Sequence, residues 1–200
     1  MVNPFFQKEV TMSISQILHD KFMDVFEHVT QAFRSIDNDH AYIHQKKMFS
    51  AFHKATIGAG STVAFGFKTP STGYVHYRLA GINPSGDKLD TQIFEGATFT
   101  AGTGTLLENN NRNRNTPKTS TVELRVAPTF TGNGTLLPGF SAFLPGAAGV
   151  GQARSGTNGE SMDEIVLAQN TTYRFLTTNG STAANIVGFN FRWYEEEYGE

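Results

Sequence analysis

One segment near the end of the chain constrains the fold most: Val187, Phe189, Phe191 and Trp193 alternate with Gly188, Asn190, Arg192 and Tyr194. Successive side chains of a strand point to opposite faces, so this pattern specifies a strand with one large aromatic face to bury. The same period recurs where Val63, Phe65 and Phe67 alternate with Ala64, Gly66 and Lys68, and where Val122, Leu124 and Val126 alternate with Glu123 and Arg125. Tyr74 to Ala80, Gln92 to Ala97, Glu164 to Ala168 and Thr172 to Thr177 are further strand candidates, each bounded by Gly, Asn, Pro or Ser. About seven or eight strands without helical patterns between them predict two packed antiparallel sheets, most simply a jelly roll.

Ahead of Gly58 the period is helical. Ile14, Ile17, Leu18, Phe22, Val25, Phe26, Val29, Phe33 and Ile36 recur at spacings of three and four, behind an N-cap at Ser13 with Gln16 at the third helical position. This predicts a helix over 14–36, whose apolar stripe either meets a partner or covers one end of its own sandwich. Asp37-Asn38-Asp39 ends it, and Tyr42, Ile43, Lys46, Lys47, Phe49, Ala51 and Phe52 predict a shorter second helix. The expected organisation is an N-terminal arm (1–12), a helical segment (13–57) and a jelly-roll-like antiparallel β-sandwich (58–200), mainly β overall.

Composition narrows the functional classes. The chain carries 17 Phe and 6 Tyr in 200 residues, enough to fill one core, and no Cys, which removes disulfides and thiolate zinc sites. A net charge of −2 argues against a general nucleic-acid binder, which needs a basic surface to displace counterions. Met1 to Lys8 lacks the basic start and apolar run of an export signal, and every apolar stretch is interrupted well short of the roughly 20 residues that cross a bilayer. Neither export nor a membrane partner is expected.

Catalytic chemistry finds little support. His40 and His44 could share a helix face but have no third metal ligand, and His76, between Val75 and Tyr77, has no nucleophile near it in sequence. Asp163 with Glu164, or Glu95 with Glu108, could be imagined as an acid and base acting on a glycan, although adjacent strand residues point apart. Glu195-Glu196-Glu197 reads as a solvated end. Gly102, Gly104, Gly132 and Gly134 are not followed by the Lys-Ser or Lys-Thr of a phosphate loop. No catalytic, cofactor-binding or metal-ligating residue is expected.

Contact surfaces are better signalled. Two long loops, Glu108 to Lys118 and Pro138 to Ser161, exceed what a compact domain needs as connections. The first carries Asn109, Arg112 and Arg114; the two arginines suit phosphate, for which they make a small footprint, and equally a carboxylate on a protein neighbour met by the forked guanidinium. Phe5 and Phe6 in the N-terminal arm are further candidate contacts, if that arm docks on a neighbour rather than fraying. Thr98-Phe99-Thr100-Ala101-Gly102-Thr103-Gly104-Thr105-Leu106-Leu107 echoes Thr129-Phe130-Thr131-Gly132-Asn133-Gly134-Thr135-Leu136-Leu137. This is either a duplicated binding loop or two similar glycine-requiring turns at corresponding ends of a sandwich, and the need for glycine in tight turns favours the turns.

Phe94-Glu95-Gly96, Asn113-Arg114-Asn115, Pro128-Thr129 leading to Gly134-Thr135-Leu136-Leu137, Asn170-Thr171-Thr172-Tyr173 and Phe191-Arg192-Trp193-Tyr194-Glu195 follow one another in an order that resembles the jelly-roll decoration, or cement, proteins of tailed-bacteriophage capsids. The resemblance covers Phe94 to Glu195 and leaves out the helical segment. It implies a structural virion protein, made in the host cytoplasm and placed on the outside of the capsid. Its implied partners are the major capsid protein and its own copies, as a homotrimer, with no catalysis and no direct nucleic-acid contact. A carbohydrate-binding module of a tail, collar or fibre is the alternative, and a glycan-degrading enzyme ranks third.

Overall fold

The computed structural model describes residues 38–78, 82–84, 88–140, 142–144 and 164–197. The sandwich lies within the compact unit Tyr42–Glu200; of the other unit, Met1–Ala41, only the start of a helix is described. The expected arm (1–12) and long helix (14–36) fall outside the described residues.

Helix α1 (Asn38–His44) has Asp39 in its first turn and His44 in its last, each matching the helix dipole at its end. The chain leaves it through Lys46, whose φ of 62° is left-handed, while Lys47 N–H donates to Tyr42 O at 2.9 Å. Strand β1 (Met48–Ile57) follows at once. This corrects the second helix expected around Phe49 to Phe52. Phe49, Ala51 and Ile57 are buried on one side of β1, and Phe52 projects from the other, 61% exposed. The spacing of three between Phe49 and Phe52 mimicked a helical stripe, but the two rings lie on opposite faces of a strand.

The remaining elements are β2 (Thr62–Lys68), β3 (Tyr74–Arg78), β4 (Ile82–Pro84), β5 (Leu89–Glu95), β6 (Thr98–Phe99), β7 (Thr105–Leu106), β8 (Asn110–Asn111), β9 (Glu123–Val126), β10 (Phe130–Gly132), β11 (Thr135–Leu136), β12 (Ala142–Leu144), β13 (Glu164–Leu167), β14 (Thr172–Asn179) and β15 (Asn185–Glu196). One sheet runs β13-β3-β15-β1-β8, with β4 also pairing β15. The other runs β11-β5-β14-β2-β9-β7, with β12 also on β5. Pairing is antiparallel and nested: β1 with β15, β2 with β14, β3 with β13 and β5 with β12. Successive pairs alternate between the sheets, which is a long hairpin rolled into a jelly roll. Strands β6 to β11 all belong to the connection between β5 and β12, so most of the additions to the roll come from one insertion.

The core lies between the inner faces of the two sheets. Phe65 of β2 meets Phe189 and Phe191 of β15 at ring-centre distances of 4.7 and 5.0 Å, and Phe67 stands edge-on to Trp193 at 5.5 Å and to Tyr77 at 5.6 Å. Val187, Phe189, Phe191 and Trp193 are all buried, as their alternation requires. Each such aromatic contributes about 1.5–3 kcal/mol by leaving water, and offset or edge-on pairs add somewhat more.

The echoed segments pair with each other. β6 and β10 form a two-stranded ribbon in which Phe99 opposes Phe130, and the hydroxyls of Thr98 and Thr131 are 2.9 Å apart. Each repeat then donates its last strand to the strand that leads into the other: β7 pairs β9, and β11 pairs β5. Leu107 N–H donates to Leu124 O, and Leu137 N–H to Ile93 O, both at 2.8 Å, completing the exchange. The ribbon lies on the outside of the second sheet. A Cβ on Gly66 would meet the Phe99 ring at 3.0 Å, and the Arg174 guanidinium sits 4.9 Å from the centre of the Phe130 ring. Gly66 and Arg174 oppose each other in β2 and β14, so the ribbon covers the middle of that sheet.

Candidate functional site

With the second sheet covered there, the outer face of the first sheet and the Asn-rich loop beside it are the natural places to look for contacts. The loop is ordered by alternate asparagines. Asn109 donates to Val122 O at 2.6 Å, and Asn111, 2% exposed, donates to Lys46 O at 2.7 Å. The Asn111 Oδ1 accepts from Asn113 N–H at 2.9 Å, and Asn113 Oδ1 from Asn115 N–H at 3.0 Å, two successive Asx turns. Asn113 Nδ2 also reaches His44 O at 3.3 Å. Because the inward positions recur every second residue, Arg112 and Arg114 between them are held outward and exposed.

The opposite side of the loop is fastened by Glu195 and Glu197, two of the three consecutive glutamates that the sequence suggested to be a solvated end. Glu195 Oε1 accepts from Ser120 Oγ at 2.6 Å and from Trp193 Nε1 at 2.9 Å, while Oε2 accepts from Thr121 Oγ1 at 2.6 Å and Thr121 N at 3.0 Å. Glu197 pairs with Lys118, and Glu196 lies 3.4 Å from His76 Nε2. Glu195 and Glu197 hold the loop to the sandwich, while Glu196 joins β15 to β3.

Among the predicted contact residues, Arg112 and Arg114 are therefore presented to solvent. Asn109 is half-buried, and its amide is turned into the loop, where it donates to Val122 O. Phe5 and Phe6 lie outside the described residues.

The sequence did not bring Arg192 to Arg112. Arg192 opposes Ser50, which in turn opposes Asn110, so β15, β1 and β8 carry these residues side by side. Ser50, Phe52, Asn110, Asn190, Arg112 and Arg192 line an open depression of about 200 Å³ on the outer face. Lys54, exposed, continues the face along β1. Phe52 supplies the exposed ring that could not be identified as such while the segment read as helical.

A second cluster lies farther across the same sheet. Glu164 Oε1 accepts from Tyr194 OH at 2.6 Å and lies 2.8 Å from His76 Nδ1, and its Oε2 is 3.4 Å from Arg78 Nε. Tyr194 is stacked between Tyr42 (4.1 Å) and His76 (4.2 Å). Burial alone would raise the Glu164 carboxyl, but the hydrogen bonds from Tyr194 and His76 and the charges of His76 and Arg78 outweigh it and hold it below the usual carboxylate range. Burial, reinforced by Glu164 and Tyr42, pushes the Tyr194 phenol well up. Of the other imagined acid-base pair, Glu95 accepts from the buried Tyr173 OH at 2.9 Å, and Glu108 is exposed. Asp163 falls outside the described residues.

Among the described residues no group of three or more His, Asp or Glu side chains is arranged to hold a metal ion, and no helix is long and apolar enough to cross a membrane. No family model, curated protein sequence or solved structure matches the chain.

Proposed function

We propose that this chain is a structural assembly protein that docks through the outer face of its first sheet onto a protein shell, as a decoration protein on the capsid of a tailed phage. The observation that carries this reading is the presentation of Arg112 and Arg192 beside the 61% exposed ring of Phe52, on a loop and strand fixed by buried hydrogen bonds. Arginines and aromatics are the residue types that dominate protein interfaces, and a backbone already fixed leaves less to be ordered on docking. The resemblance to cement proteins supplies the more specific terms: the major capsid protein as partner, the virion surface as location and a homotrimer as the binding form. Attachment at several points would make modest individual contacts durable.

The test is sedimentation of the purified protein alone and with empty shells of the phage that encodes it. Saturable attachment of a trimer, with shells surviving more heat, is the expected result. A monomer that never attaches contradicts the proposal.

Phe52, flanked in the depression by Asn110 and Asn190, favours one second reading, a carbohydrate site in which a sugar stacks on the ring and hydrogen-bonds the amides. Saturable binding on a glycan array, lost in Phe52→Ala, would place that reading first.

A further inference from the structure

Among the described residues, strand β1 has a partner along its whole length on only one side. β15 pairs every residue from Met48 to Ile57, whereas β8 opposes only Phe49 and Ser50. Among the described residues nothing pairs with the other edge of β1 beyond Ser50. The direction of its free groups follows from the ladder. Arg112 N–H donates to Met48 O at 2.9 Å on the side away from β15, and Glu195 N–H donates to Lys47 O at 3.0 Å on the β15 side. Antiparallel alternation then turns the N–H and C=O groups of Phe52, Lys54 and Thr56 toward the open edge. Open edges invite strand addition unless they are short, bulged or charged.

Charge selects what can occupy this one. Arg112, Arg192 and Lys54 lie on or beside the outer face at this edge, and two carboxylates of the same face, Glu164 and Glu196, are engaged with His76. A second copy pairing edge to edge would bring Lys54 and Arg112 of both copies together, and like charges facing each other across strands are destabilising. We propose that the open edge of β1 accepts an extended acidic segment of a partner protein, added as a strand beyond β8. Its backbone bonds Phe52, Lys54 and Thr56, and its alternate residues on the outer face carry the carboxylates that meet Lys54 and Arg112, with Arg192 across β1. Main-chain bonds supply the general affinity, and alternate side chains supply the selectivity. This deepens the docking proposal by naming the partner's chemistry and rests on that reading only for its biological setting.

The probe is fluorescein-labelled acetyl-Val-Glu-Val-Glu-Val-Glu-amide, titrated with the full-length protein at low salt and followed by anisotropy. Binding should saturate, weaken about tenfold or more in the Lys54→Glu/Arg112→Glu variant, and fail for the Val-Lys peptide and for a peptide N-methylated at every residue. Amide exchange at Phe52, Lys54 and Thr56 should slow in the complex. Equal binding of the Val-Lys peptide, protection elsewhere, or no binding at millimolar concentration overturns the proposal. Protection of the same amides that rises with protein concentration in the absence of peptide overturns it in favour of a second copy. Shell sedimentation of the same proteins separates the two claims: attachment to shells without peptide binding overturns strand addition alone, and peptide binding without attachment overturns the shell reading alone.

Discussion

His76 and Tyr194 stack face to face at 4.2 Å, with 12° between their planes, while both address the same oxygen, Glu164 Oε1. The two residues are directly opposite across β3 and β15, so the sheet register itself brings imidazole, phenol and carboxylate together. The result is a polar knot on the outer face, between the edge strand β13 and the segment carrying Tyr42.

This knot makes stability depend on pH at both ends. Glu164 has its folded pKa lowered, so its contribution is present above the ordinary carboxylate value and is lost as pH falls through the folded one. Tyr194 and Tyr173 have theirs raised by burial, so theirs is complete below the ordinary phenol value of about 10 and is lost above it. Urea midpoints measured across pH should fall in acid and again in strong alkali. Tyr194→Phe should flatten the alkaline limb; an unchanged alkaline slope would contradict the assignment.

Glu195 should be the costliest of the three terminal glutamates to replace. Removing its carboxylate leaves Trp193 Nε1, Ser120 Oγ and Thr121 N–H without their acceptor, and Glu195→Ala should cost on the order of 2–3 kcal/mol. The chain has a single Trp, so denaturation followed by its fluorescence reads both the stability and the lost hydrogen bond. Glu197→Ala, which removes only a solvent-exposed pair with Lys118, should leave the denaturation midpoint close to the parent's.

Gly104 and Gly134 test the exchange between the repeats. Both have positive φ, 71° and 79°, and a Cβ on Gly104 would lie 2.5 Å from Val126 O, one on Gly134 2.7 Å from Ala97 N. Substitution by Ala at either should cost more than about 1–3 kcal/mol, backbone strain and overlap together. Gly102 has φ 77° but open space around its Cβ, so Gly102→Ala should cost only about 1 kcal/mol. Equal losses at Gly102 and Gly104 in thermal denaturation would contradict the interlocked arrangement.

Phe67 meets Tyr77, Phe175 and Trp193 at the centre of the core, and Phe67→Ala should destabilise by about 3–5 kcal/mol. Arg112→Glu lies outside every such contact and should leave the denaturation midpoint within about 0.5 kcal/mol of the parent.

The sandwich was legible where burial of one strand face imposes the period of two, as in β2, β9 and β15, and where turn residues bound a short apolar run, as in β3, β5, β13 and β14. β1 escaped because its outer face carries Phe52, which breaks the contrast between apolar and polar positions. The short strands β6, β7, β10 and β11 are too brief to show a period; what marked them was the echo itself, whose meaning as a pair depended on tertiary contact. In the candidate site Arg112 and Arg114 were visible in the loop. Arg192 was not linked to them, since the cross-strand register that places it opposite Ser50 has no trace in local sequence. Asn109 looked like its neighbours, but alternation along the loop turns it inward. The terminal glutamates resembled a solvated tail because Ser120 and Lys118, the donors to Glu195 and Glu197, lie 75 and 79 residues back in the chain.

The most direct test of the docking face compares Arg112→Glu/Arg114→Glu/Arg192→Glu with Lys68→Glu, an exposed charge reversal on the second sheet, in co-sedimentation with empty shells after confirming equal thermal stability. The account predicts that the triple variant loses attachment about tenfold or more while Lys68→Glu attaches like the parent. Retained attachment of the triple variant, or equal loss in both, would contradict the assignment of the first sheet as the docking face.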